Sequence, residues 1–293
     1  MRLARHRLLL LFTTLFAVSS LASAQTVPAG ASPTLERIRA AKEIRVAFSG
    51  DSPPFSLVAA NGEPAGFAIE LCRRVIAGIA RATGEPDLKT RWIVGSAAER
   101  VDLVATGKAD LDCANTTTTL ARLREVDFSA LVFVDSGGLL VREGSPVERL
   151  AGLEGRRVGV LAGTTTDLRL SSTLRQQGVN ATVVRLNDGV EGVAMLESGS
   201  LDAFAADKVK LAGLAAEARA PRSLRVLPDD LSYEPQAFAL PRNDSAYRLE
   251  VNRALSRAYA SGEAERIFAQ WLGRLGKPSG LLAAVYMLNV IPE

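Results

Sequence analysis

The feature that most constrains this chain is a repeated alternation of short apolar runs with longer stretches of helical character. Residues 157–161 read as a strand, 165–177 as a helix, 182–186 as a strand, 190–197 as a helix, 203–206 as a strand and 208–218 as a helix. An earlier series has the same order: strand 44–48, helix 67–83, strand 91–94, helix 97–106, strand 109–113. Ile44-Arg-Val-Ala-Phe48 alternates, whereas Ile69, Val75, Ile76 and Ile79 recur at helical spacing. Repeated strand–helix order argues an α/β protein with largely parallel sheets.

The alternation breaks at two places. Residues 132–141 carry Gly137-Gly138 between two apolar runs, and 231–240 carry Pro235 ahead of Phe238-Ala-Leu240. Helices 244–261 and 264–271 then have no strand partner nearby. An economical arrangement is two lobes, 25–136 with 237–293 and the inserted 137–236, joined by two extended hinge connections with a cleft between them. Smaller signals punctuate the start: a helix over 34–41 capped by Ser32 or Thr34, a Ser52-Pro-Pro-Phe55 loop and an Asn61-Gly62 turn.

Residues 1–24 combine a basic start, an apolar run from Leu8 to Phe16 and a small-residue Ala22-Ser23-Ala24 end, the three parts of a cleavable secretory signal. The apolar run is short for a membrane span of about 20 residues. No Cys follows it, so a lipid anchor is not expected. Removing Arg2, Arg5 and Arg7 takes Lys+Arg from 35 to 32, equal to the 32 Asp+Glu, so the basic character belongs to the leader and no nucleic-acid footprint is left. His6, the only histidine, leaves as well, which excludes Ser-His-Asp and Cys-His catalysis and histidine metal sites. Cys72 and Cys113 cannot make a zinc site alone; in an oxidising compartment they can pair, or they can serve as two buried small hydrophobes. No metal or cofactor is expected.

Three strand-to-loop junctions carry chemistry. Asn115-Thr-Thr-Thr-Thr-Leu-Ala-Arg122 follows strand 109–113, where an open α/β sheet binds ligands. Hydroxyls, the N–H groups of a starting helix and the planar fork of Arg122 suit a carboxylate, although an ordinary capped helix with a solvated arginine reads the same way. Gly163-Thr164-Thr165-Thr166 repeats the arrangement after strand 157–161, without the spacing of a phosphate-gripping loop. Asp207 ends strand 203–206, either as a helix cap or as a carboxylate facing the cleft. Together these groups fit a zwitterion: carboxylate on Arg122, ammonium on Asp207.

In this order, Ser52-Pro-Pro-Phe55, Gly66-Phe67, Gly107-Lys-Ala-Asp110, Thr117 to Arg122 with Asp127-Phe128-Ser129, Leu153-Glu-Gly155, Gly163-Thr-Thr165, Leu196-Glu-Ser-Gly199 and Ser261-Gly-Glu263 before Trp271 closely resemble the family 3 extracellular solute-binding proteins, the periplasmic amino-acid-binding components of ABC importers. The resemblance implies a bilobal Venus-flytrap fold (a type II periplasmic binding protein) of two α/β lobes joined by two hinge strands. It implies that Arg122 holds the α-carboxylate with Thr117 and the backbone at Thr164 and Thr165, and that Asp207 holds the α-ammonium. It also places Asn115 beside the ligand and Phe55 and Arg100 near its side chain. The likeness is greatest to the glutamate/aspartate-binding branch, which shares the Asp-Cys-x-x-Thr-Thr run and Arg100. Members of that branch carry Arg where this chain has Ser49 and His where it has Gly189, residues that grip the side-chain carboxylate. Only Arg100 then remains for an acidic side chain, so a ligand with a side chain that is not clearly acidic is expected.

The expected function is capture of an amino acid by lobe closure and delivery to an inner-membrane ABC permease, by a non-enzymatic, monomeric periplasmic protein. The alternative is a periplasmic dehydratase of the prephenate/arogenate type on the same fold, which needs a general acid with a raised pKa; Glu70 and Glu99 are the nearby candidates. A third reading is a soluble partner of a membrane sensor. The apolar tail 281–291 is expected to pack along a lobe.

Overall fold

A computed structural model describes residues 31–292; the expected leader, its cleavage point and His6 lie outside the described residues. Helix α1 (Pro33–Ala41) starts at Ser32, whose hydroxyl accepts the Leu35 N–H while donating to Asp244. That single side chain caps the first helix and ties it to the far end of the sequence. β1 (Glu43–Phe48) follows, then a small antiparallel sheet of β2 (Asp51–Ser52), β3 (Ser56–Val58) and β4 (Pro64–Ala65). The expected turn at Asn61-Gly62 joins β3 to β4, with Gly62 at a φ of 82° that favours glycine. α2 (Phe67–Thr83) buries Ile69, Val75, Ile76 and Ile79 on one face. After it come β5 (Lys89–Val94), α3 (Ala97–Ala105) with a Ser96/Glu99 capping box, and β6 (Leu111–Asp112).

β7 (Asp127–Arg142) is one 16-residue strand that runs straight through Gly137-Gly138. β8 (Arg157–Leu161), α4 (Thr165–Gln177), β9 (Thr182–Leu186), α5 (Gly189–Glu197), β10 (Ala203–Asp207) and α6 (Lys208–Ala216) form the regular alternation read from the sequence. β11 (Leu224–Val226) and β12 (Ser232–Leu240) lead back to α7 (Ser245–Ala260), α8 (Glu263–Leu272) and α9 (Gly280–Leu288).

The large sheet has the order β5-β1-β6-β12-β7-β10-β8-β9, with β11 on β7. β1 is parallel to β5 and β6, and β8 is parallel to β9 and β10. The long antiparallel pair β7/β12 joins these two parallel ends, so the two breaks in the alternation are neighbouring strands. Gly137 lies close to β12: a Cβ there would stand 2.4 Å from the Ser232 hydroxyl, which would have to turn away.

The buried apolar side chains gather in separate groups. The largest draws on 38–133 and 238–286, and a smaller one on 47–128 with Ala237 and Ala239. Two others draw only on 139–227, on either side of the β8–β10 strands. Cys72 on α2 and Cys113 after β6 are joined by a disulfide inside the largest group, which decides between the two uses the sequence left open. In α9, Leu282, Val285 and Tyr286 are buried, with Tyr286 stacked on Tyr259 at 4.9 Å, whereas Leu281, Met287 and Leu288 are exposed. The tail thus packs by one face.

Candidate functional site

A cleft lies at the C-terminal ends of β1, β6, β8 and β10. Its walls include Ser49, Arg100, Asn115, Thr117, Arg122, Thr164, Thr165 and Asp207, eight of the nine residues expected at the site. The ninth, Phe55, is elsewhere. Its ring packs edge-on against Phe67 and Phe133 in the largest core group, at centroid distances of 6.1 and 4.8 Å, and is 1% exposed. Burial of an all-carbon ring in an aromatic core outweighs a place on a wall lined mostly by polar side chains.

Arg122 differs from expectation in its support. The loop after β6 opens no helix beyond a single 3₁₀ turn, Arg122–Arg124. The reason is local: Thr118 donates its backbone N–H to Pro235, and Ala237 donates to Thr116, so 116–118 run beside β12 and are unavailable for helical bonding. Arg122 donates through one guanidinium N–H to the Thr117 carbonyl at 2.8 Å and forms no ion pair among the described residues. Burial pulls its pKa down, opposed by Asp112 and, more weakly, by Glu234 and Asp207. The guanidinium is therefore a partly buried cation without a contacting counter-ion, aimed at the cleft. The helix N-terminus expected of this region is supplied by α4, where Thr164 caps by accepting the Asp167 N–H.

Asp207 occupies the N-cap position of α6 but makes no capping hydrogen bond. Of its two possible uses, it takes the cleft. Its carboxylate accepts from Asn115 at 2.9 Å, from Gln236 at 3.0 Å and from Thr166 at 3.5 Å, with no cation within ion-pair distance. Burial, then the nearby Glu234 charge, push its pKa up to about 6. The charged form of this group lacks a cationic partner.

Several charged residues on the cleft wall or close to it were not anticipated. Glu234 on β12 is 1% exposed and accepts from Thr117 at 2.6 Å, from Thr165 at 2.7 Å and from Ser232. Asp135 faces it directly across the β7/β12 pair. Burial and the Asp207 charge push Asp135 up to about 8, which relieves a like-charge pair. Lys210 on α6 lines the cleft and pairs with Asp51 at 3.3 Å; Asp51 also accepts from the Ser49 hydroxyl and the Gly189 N–H. Arg100 is spoken for in part: it pairs with Asp112 at 2.9 Å and donates to Gly95 and Thr116. Arg100 is therefore not the only cation available to a ligand side chain, contrary to expectation. No short motif signals Glu234, Asp135 or the Asp51–Lys210 pair, because each depends on strands or lobes meeting across long sequence separations. Among the described residues no group of His, Cys, Asp and Glu is arranged to hold a metal ion.

The two carboxyls considered as general acids have structural work. Glu99 closes the α3 capping box from an exposed position, and Glu70 pairs with Arg73 one turn along α2.

Residues 44–274 match the family described as bacterial extracellular solute-binding proteins, family 3. An L-glutamate/L-aspartate-binding protein of Pseudomonas aeruginosa is 29% identical over 265 residues, covering 90% of this chain and 88% of that protein. An ancestral arginine-binding protein bound to glutamine has a similar structure, with a TM-score of 0.70 and 25% identity, covering 79% of this chain and 98% of that one. The solute receptor for L-cysteine of Neisseria gonorrhoeae gives 0.71 and 26%, covering 83% and 94%. The α/β fold read from the alternation is thus that of the bilobal solute-binding proteins.

Proposed function

Because the chain belongs to the bacterial extracellular solute-binding proteins of family 3, we propose that it captures a free amino acid in this cleft and presents it to an ABC permease. The observation that carries the reading is the paired deficit in one cavity. Arg122 is a cation with no contacting carboxylate, and Asp207 is a carboxylate with no contacting cation. An amino acid supplies both missing charges. Its α-carboxylate bonds Arg122, Thr117 and the N–H groups at Thr164 and Thr165; its α-ammonium bonds Asp207, which Asn115 orients.

The lobes in this reading are 25–136 with 237–293 and 137–236, with β7 and β12 as the hinge strands. The separation of the buried groups along those lines supports the division. Thr117 and Thr165 come from opposite lobes, and both donate to Glu234 on a hinge strand. A ligand touching both would favour closure through its differential contacts. The work takes place in the periplasm, after removal of the leader. No chemical step is assigned, since the carboxylates in the cleft hold hydroxyls, amides or cations in place.

A thermal-shift screen against the common L-amino acids tests the proposal. A ligand at a hundred times its Kd stabilises the folded state by about 2.7 kcal/mol and raises Tm by several degrees. No shift with any amino acid at millimolar concentration would overturn it.

A further inference from the structure

The cleft contains a second set of charges that the α-group contacts leave unused. Lys210 Nζ is buried, and of its three N–H groups one meets Asp51; the other two have no acceptor among the described residues. Arg100 has five N–H donors, of which Asp112, Gly95 and Thr116 accept three. Both side chains line the cavity, and the Arg100 charge is felt at Lys210. This wall therefore offers surplus donors and requires an acceptor.

Its charge argues what kind. Lys210 is balanced by Asp51, and Arg100 by the fully buried Asp112. The four groups sum to zero. A ligand carboxylate would bring an uncompensated negative charge into a buried site, and a guanidinium or ammonium an uncompensated positive one. An alkyl side chain would leave desolvated N–H groups unpaired. A carboxamide answers both conditions: its oxygen accepts from Lys210 and Arg100, and its NH₂ donates to Asp51 or to the linked Ser49 and Ser52 hydroxyls.

We infer that Lys210, held by Asp51, is a specificity-determining residue that, together with the Arg100–Asp112 pair, selects an amino acid with an uncharged carboxamide side chain. The inference rests on the amino-acid-binding reading above. The two cations on this wall, Lys210 and Arg100, are both already neutralised.

Titration calorimetry on the leader-free chain tests it, with glutamine, asparagine, glutamate, arginine, leucine and alanine. Glutamine or asparagine should bind at least about tenfold more tightly than glutamate, arginine or leucine. Lys210→Met should weaken the preferred amide at least about tenfold and alanine less than about threefold, with Lys210→Arg restoring part of the loss. Asp51→Asn, which leaves Lys210 without its counter-charge, should move the glutamate-to-amide affinity ratio at least about tenfold toward glutamate. Melting curves verify that each variant is folded. Glutamate binding as tightly as the amide would overturn the inference, as would a Lys210→Met loss equal for amide and alanine, the signature of a pair that only latches the lobes. If no amino acid binds, alanine included, the amino-acid-binding reading itself fails.

Discussion

Lowering the pH from 7 to 5 should weaken amino-acid binding about tenfold through Asp207 alone. Its carboxyl is buried beside Glu234 and is pushed up to about 6 in the absence of ligand. The α-ammonium needs the ionised form. At pH 5 roughly one tenth of Asp207 is ionised, about a tenfold cost in binding, and each further unit costs about the same again. A carboxylate at the ordinary value of 3.8 would change the affinity less than about twofold over that range. The ligand's own α-groups do not titrate between pH 5 and 7. Stability of the empty protein runs the opposite way. A carboxyl whose pKa is higher folded than unfolded contributes stability that is complete below about 4 and lost as the pH rises through about 6, up to about 3 kcal/mol for this shift. Calorimetry at pH 7, 6 and 5 at matched ionic strength, with thermal melts of the empty protein, reads both slopes. Asp207→Asn should bind more weakly at pH 7 and lose the slope. A flat wild-type profile, or an undiminished slope in Asp207→Asn, would refute the assignment.

Further outcomes follow from the packing and the disulfide. A Cβ on Gly213 in α6 would stand 2.3 Å from the Pro53 backbone oxygen, a contact between the lobes as proposed. Gly213→Ala should therefore hinder closure and weaken ligand affinity about tenfold or more, while the melting temperature of the empty protein moves little. Replacing Cys72 and Cys113 by alanine opens a covalent link across 41 residues. On the chain-entropy account this costs about 4 kcal/mol of stability, seen as a lower denaturant midpoint. Ligand affinity of the folded variant should not change, because neither cysteine lines the cleft. Glu234→Gln should weaken binding by about 1–3 kcal/mol in calorimetry, since the amide cannot accept from Thr117, Thr165 and Ser232 as the carboxylate does.

Periodicity carried the fold far. Strands 157–161 and 182–186 and helices 67–83 and 165–177 stand where their patterns put them, because local spacing and capping residues decide such elements. Glycine and proline marked the two hinge strands, though the continuity of β7 through Gly137-Gly138 was legible only as a break. The cleft-lining residues that follow strand ends were readable for the same reason: a strand's C-terminal loop has a fixed place in a parallel sheet. Phe55 was misplaced because proximity to a loop in sequence says nothing of which way a ring turns once an aromatic core is available. Glu234, Asp135 and Lys210 were invisible because their roles arise from register across β7 and β12 or from a partner on the other side of the cleft. A lone acidic or basic residue in an apolar strand or helix carries no local signal of that kind.

The central claim is that Arg122 receives a ligand carboxylate, and calorimetry on Arg122→Ala tests it most directly. With the preferred amino acid, the folded variant should lose binding by at least about a hundredfold, some 2.7 kcal/mol, as expected when a partly buried charge-assisted pair is removed. An affinity within about tenfold of the wild type would contradict the account.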